Sequence, residues 1–191
     1  MSAYQAPHVT RLLAAVSAGT PGALDDLFLE CVHHLRRIAR SLLRHERPDH
    51  TLQPTALVNE VFLRLFDGAP PAWPDSRAFF SSVAREMRRV LTDHARRRNA
   101  QKRGGADQPR SLDEAPEPSG GPSPELLLAL DEALERLEAK SPRAARVVEL
   151  RYYAGLTTAE IAAMFGVGAR TIEREWQWAR AELQGDLWGL P

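Results

Sequence analysis

Arginine is the residue whose type and spacing point most directly to chemistry in this chain. Between Arg85 and Arg103 stand Arg85, Arg88, Arg89, Arg96, Arg97, Arg98, Lys102 and Arg103, against Glu86 and Asp93 alone. Eight positive side chains to two negative ones leave a net of +6 within 19 residues. A guanidinium fork donates in pairs to phosphate oxygens, so a run of this density suits a polyanion. From Asp107 to Glu138 the balance reverses, with nine acids to Arg110 and Arg136, a net of −7. The whole chain carries 25 Lys+Arg and 25 Asp+Glu, so its neutrality hides segregated charge. Such segregation fits a protein that binds a polyanion with one part only, or else a solvated helix face followed by a solvating linker.

A second constellation runs from Thr157 to Leu183, TTAEIAAMFGVGARTIEREWQWARAEL. Thr157 and Glu160 have the spacing of a capping box, which satisfies two orphan amides at a helix start. Ile161, Ala162 and Phe165 share one face of a short helix, and Gly166 supplies the left-handed turn that ends it. Val167 plugs the turn, and Ile172, Trp176, Ala179 and Leu183 mark the inner face of a longer helix. This is the pattern of a helix-turn-helix, whose second helix enters the major groove. Ala169, Arg170, Thr171, Glu173 and Arg174 then lie at the start of that helix, with Ala169, Arg170, Glu173 and Arg174 facing outward. Arginine there reads guanine or grips phosphate. The plainer alternative is a helical hairpin whose glycine is merely a stop. Trp176 and Trp178 are expected to pack rather than to stack on bases.

Other chemistries find less support. Cys31 is the single cysteine, so neither an internal disulfide nor a CxxC motif exists. The six histidines do not pair at ligand spacing: His33 and His34 point to different faces of one helix, and His45 and His50 sit in a turn. No glycine loop is built to cradle a nucleotide. No metal, cofactor or catalytic residue is expected. The start of the chain lacks a signal pattern and no apolar run reaches membrane-spanning length, so a cytoplasmic location away from membranes is expected.

The elements that must position these residues read as helices throughout. Thr20-Pro21 looks like a helix start, followed by the stripe Leu24, Leu27, Phe28, Cys31, Leu35, Ile38 and Leu42. A second helix spans about Pro54 to Phe66, and a third runs from near Ser76 to about Arg98, burying Phe79, Phe80, Val83, Met87, Val90, Leu91 and His94. Gly68, Pro70, Pro71 and Pro74 form a loop between them. The stretch from Lys102 to Ser123, rich in Gly, Pro, Ser and acid, has little to bury and reads as a flexible linker. Ser123-Pro124-Glu125 and Ser141-Pro142 open two more helices. The expected fold is therefore all-α: a helical domain over 1–101, a linker over 102–123 and a C-terminal helix-turn-helix domain over 124–191.

Three segments in this order carry a family resemblance. The tail ARTIEREWQWARAEL resembles the second DNA-binding region of extracytoplasmic-function (ECF) sigma factors, promoter-recognition subunits of bacterial RNA polymerase. LQPTALVNEVFLRLF, from Leu52 to Phe66, is similar to the family's core-binding helix. RAFFSSVAREMRRVLTDHARRRNAQKRGG, from Arg77 to Gly105, is similar to the helix that melts and reads the minus-ten element. The blocks TALV-E-LRL, MRR-L-D-AR and KRGG look closest to one subgroup, which more often has histidine where Asn59 stands.

The resemblance implies a non-enzymatic protein that docks on RNA polymerase core and directs promoter-specific initiation. Asn59, Glu60, Leu63, Arg64 and Asp67 would meet the clamp helices of the largest subunit. Arg85, Arg88, Arg89, Arg96, Arg97 and Arg98 would contact the melted minus-ten strand, some of them pairing instead with Glu86 or Asp93. The recognition helix would lie in duplex DNA at the minus-thirty-five element. The linker would span the two elements and thread near the polymerase cleft, and an anti-sigma factor is a further partner the family allows. Trp73, Phe79 and Phe80 read as core residues. The rival is a helix-turn-helix regulator that binds duplex DNA without contacting polymerase.

Overall fold

Three helices begin where a polar residue meets proline. Pro54, Pro124 and Pro142 each occupy the first helical turn, where a missing N–H is harmless and φ is already set. Ser123 Oγ accepts from the Leu126 amide at 3.1 Å, and Ser141 Oγ from the Ala144 amide at 3.4 Å. A computed structural model of the chain describes residues 6–43, 52–67, 73–104 and 123–188. Among these residues all regular structure is helical, in the order α1 Ala6–Ser17, α2 Ala23–Leu42, α3 Pro54–Phe66, α4 Ser76–Gly104, α5 Pro124–Lys140, α6 Pro142–Tyr152, α7 Thr158–Phe165 and α8 Ala169–Trp188.

The starts of α3, α5 and α6 fall where the sequence places them, whereas α2 requires a correction. It begins at Ala23, behind Gly22 in the left-handed region (φ 79°), and no side chain caps it. Thr20 instead accepts the Ala23 amide through its backbone carbonyl at 3.2 Å, because the glycines flanking Thr20-Pro21 favour a turn over a helix. Leu24 leaves the expected stripe as well and is 41% exposed. The first helix, α1, is not delimited by the sequence reading; it buries Val9 and Leu13 and packs on α2 and α4.

An aromatic ladder ties the front half together. Phe28 meets Phe62 edge-on at 4.8 Å, Phe62 stacks on Phe66, and Trp73 bridges Phe66 and Phe79 at 5.3 Å on either side. Buried rings in these offset arrangements contribute beyond their area. Trp73 also donates its indole N–H to Ser82 Oγ at 3.0 Å, so Trp73, Phe79 and Phe80 are core residues as expected.

The spine of the molecule is α4. At 1.5 Å per residue its 29 residues extend about 43 Å. One side packs on α3 and α1, the other on α5, α6 and α7. Both halves therefore join one contiguous buried cluster, from Val9 to Leu183. The helix continues through Gly104, so positions 102–104 of the expected linker are helical; 105–122 lie outside the described residues. No described helix is long and apolar enough to cross a membrane.

Candidate nucleic-acid interface

The turn between α7 and α8 is built as its residues dictate. Thr157 Oγ1 accepts the Glu160 amide at 3.3 Å while the Glu160 carboxylate accepts the Thr157 amide at 2.7 Å, closing the capping box. Gly166 ends α7 at φ 65°. The Val167 amide then reaches the Ala162 carbonyl at 3.1 Å and the Gly166 amide that of Ala163 at 3.3 Å, a paired stop that satisfies two of the loose carbonyls. Ile161, Ala162, Ile172, Ala179 and Leu183 are buried, and Trp176 is half-buried.

At the start of α8, Ala169, Arg170 and Arg174 are exposed and Thr171 is half-buried. Glu173 is half-exposed, and its carboxylate accepts from Arg151 Nη1 at 3.2 Å, Thr158 Oγ1 at 3.3 Å and Gln177 Nε2 at 2.9 Å. The Gln177 and Arg151 donors hold that carboxyl below its ordinary pKa. Arg151 in turn lies 4.4 Å over the Trp176 ring centroid. Glu173 thus orients α8 against the ends of α6 and α7. Arg151 and Thr158 have no role in the sequence reading, because partners 22 and 15 residues away leave no local signal. Trp178 is 42% exposed, a rim position one turn beyond Arg174 on the face that Arg170 begins.

The basic helix divides its arginines in a way charge density does not show. Arg85, Arg89, Arg96 and Arg97 are exposed and Arg98 is half-buried. Arg88 is corrected most sharply, being only 8% exposed. Its Nε donates to Asp131 Oδ1 at 2.6 Å, Nη2 to the Asp131 carbonyl at 2.8 Å and Nη1 to Glu149 Oε1 at 3.1 Å. Arg96 Nη2 approaches the other Asp131 oxygen at 3.4 Å, and Arg146 Nη1 holds the other Glu149 oxygen at 2.9 Å. Burial opposes the Arg88 charge, but bonds and attraction to Asp131 and then Glu149 outweigh it and raise its pKa. Arg88 falls inside because it sits one residue from Met87 on the buried arc of α4, where α5 and α6 cover it.

On α3, Asn59, Leu63 and Asp67 are exposed, Leu63 by 73%. Glu60 and Arg64 are half-covered: Arg64 donates to Glu60 at 2.7 Å and to Asp93 of α4 at 3.1 Å. The expected outer face therefore has an apolar centre between polar ends, with one flank braced on the spine helix.

The described residues thus form an all-helical fold with a basic spine helix and a capped turn between α7 and α8 that has arginines at its mouth. The family model described as ECF sigma factor matches residues 6–188, and the chain belongs to that family. Its role is that of a sigma factor in transcription initiation, in a non-enzymatic family whose partners are RNA polymerase core and promoter DNA. Neither a curated protein nor a solved structure matches the chain significantly.

Proposed function

We propose that the chain binds RNA polymerase core through the α3 face of Asn59, Glu60, Leu63, Arg64 and Asp67, and selects promoters with two separate surfaces. The start of α8, through Ala169, Arg170, Thr171 and Arg174, engages duplex DNA at the minus-thirty-five element. The basic side of α4, through Arg85, Arg89, Arg96, Arg97 and Arg98, holds the melted minus-ten strand, and Arg88 joins it when its cover is removed. Glu173 acts as a positioning residue for α8.

The observation that carries this reading is the family match across 6–188, which spans both the α3–α4 pair and the α7–α8 turn. Exposure supports the assignment. A leucine 73% exposed between polar neighbours suits the core of a protein interface, where charged residues are depleted and a partner covers the apolar surface. Exposed arginines at a helix mouth suit base edges and phosphates.

Run-off transcription with purified core polymerase on a promoter library tests it: the chain is expected to confer start-site selection. Leu63→Asp is expected to abolish retention on core while leaving duplex binding intact. A chain that binds duplex DNA yet is never retained by core overturns the reading in favour of a plain regulator.

A further inference from the structure

A second group of arginines lies on α2. Arg36, Arg37 and Arg40 stand in a stretch with no acid between Glu30 and Glu46. With His33 they recur at three- and four-residue spacing, so they share one face of the helix. His33, Arg37 and Arg40 are exposed and Arg36 is half-buried. Elsewhere Arg64, Arg88, Arg96, Arg143, Arg146 and Arg151 are each paired with a carboxylate. Among the described residues Arg36, Arg37 and Arg40 form no such pair, and Arg36 Nε is a buried donor without an acceptor. In a chain with as many acids as bases, three neighbouring guanidiniums without carboxylates are open to an outside anion. We propose that this stripe grips the phosphates of the same DNA duplex that α8 enters, so that the front and rear halves form one continuous duplex-binding surface. The inference rests on the proposed duplex role of α8.

The stripe lies beside the helix-turn-helix because α2 packs on the turn that leads into it. His34 donates Nε2–H to the Ala154 carbonyl at 2.9 Å, and Gly155 presses against the Ile38 side chain. Arg37 donates Nη2 to His34 Nδ1 at 3.0 Å, so its guanidinium lies one imidazole ring from that turn. Three residues after Gly155, at Thr158, α7 begins. When a helix-turn-helix docks, its second helix lies in the major groove and its first crosses the sugar–phosphate backbone. A duplex engaged by α8 therefore runs its backbone past α7 and on to α2. The carboxylate whose charge reaches His34 is that of Glu160, and the Thr157 amide and hydroxyl both hold it at 2.7 Å. From Arg36 to Arg40 the helix rises about 6 Å. One strand carries a phosphate about every 3.4 Å along the axis, so the stripe can face about two of them. Contacts of this kind fix register and orientation without reading bases. They use the two halves docked as they stand, with the apolar cluster closed.

Titration of the full chain with a short fluorescein-labelled DNA duplex tests the stripe, read as the slope of log K against log salt. Arg40→Gln is expected to lower that slope by about one, and Arg37→Gln with Arg40→Gln by about two. R40Q alone is expected to melt at the wild-type temperature, since Arg40 is exposed. Arg11→Gln makes the same charge change at an exposed position of α1 outside the stripe and is expected to leave the slope unchanged. Saturation is expected at one duplex per chain, because both halves hold the same molecule. An unchanged slope in both stripe variants overturns the proposal, as does an R11Q loss equal to that of R40Q, or two duplexes per chain. Weaker retention on core polymerase with the duplex slope unchanged assigns the stripe to an acidic protein surface and also overturns it. Arg174→Ala separates this inference from the reading beneath it. A loss in R40Q with none in R174A keeps the phosphate contact of the stripe and removes the duplex role of α8.

Discussion

Arg88, Arg170 and Arg174 carry the same side chain, and their surroundings give them different work. Arg88 is enclosed by two carboxylates, where removing one partner typically costs about 3–5 kcal/mol because a buried charge is left behind. Arg170 and Arg174 project into solvent at the mouth of α8 and are available to a ligand. Arg174→Ala is therefore expected to leave thermal stability unchanged. Where its contact is to phosphate, it should lower the slope of log K against log salt for promoter duplex by about one; where it reads a base, it should cost roughly 1–3 kcal/mol at that position. Glu173→Gln should show the opposite split, losing stability through Arg151 and Thr158 with the salt slope retained. Salt-dependent binding and melting curves on the two variants separate the cases. The outer pairs Lys140–Glu182 and Arg143–Glu175 are more exposed on the basic side and contribute little by comparison.

At the scale of elements, two glycines show why identical residues need not be equally replaceable. Gly166 and Gly155 both lie at positive φ, 65° and 67°. Gly166 ends α7 with open space where a Cβ would stand, so alanine there meets only the left-handed backbone penalty, about 1–2 kcal/mol. Gly155, after α6, presses on α2: an added Cβ would overlap the Ile38 side chain and lie 3.0 Å from His34 Nε2. Gly155→Ala is expected to lower the melting temperature clearly more than Gly166→Ala; an equal loss would show that Ile38 yields without strain. The capping signals were legible at this scale, since Thr157, Glu160, Ser123 and Ser141 act on amides within three residues. The start of α2 was not, because Thr20-Pro21 has the composition of a helix cap and the flanking glycines turned it into a loop.

For the whole molecule, the docking of front helices on rear ones has a second anchor besides Arg88. Buried His34 of α2 donates Nε2–H to the Ala154 carbonyl at 2.9 Å, and Arg37 donates to its Nδ1 at 3.0 Å. Both ring nitrogens are thus engaged by a neutral imidazole. Burial lowers the His34 pKa below 6.5, and Arg37 adds to the effect against the opposing Ala154 bond and the Glu160 charge. A histidine depressed in the folded state stabilises above its unfolded pKa, because below it the unfolded chain takes up a proton the folded chain refuses. The contribution is complete above about pH 6.5 and fades as the pH falls through the lowered folded value. Denaturation of wild type and His34→Gln across pH 8 to 5 is expected to show their stability difference shrinking in acid. The slope for one proton is at most about 1.4 kcal/mol per pH unit. A difference that grows in acid would mean the imidazole is held charged.

Periodicity, proline-preceded caps and the left-handed glycine of the α7–α8 turn were enough to read the all-helical fold, the bounds of α3 and the starts of α5 and α6, since each depends on neighbours within one or two turns. The basic face of α4 and the exposed leucine of α3 were visible for the same reason. Only the tertiary structure decided which arginines stay in water, where Glu173 turns, and that the two halves pack together. Those outcomes depend on charges brought together from 43 and 61 residues away, as Arg88 is with Asp131 and Glu149. Burial changes what such a pair is worth, and burial is a property of the assembled helices rather than of any segment read alone.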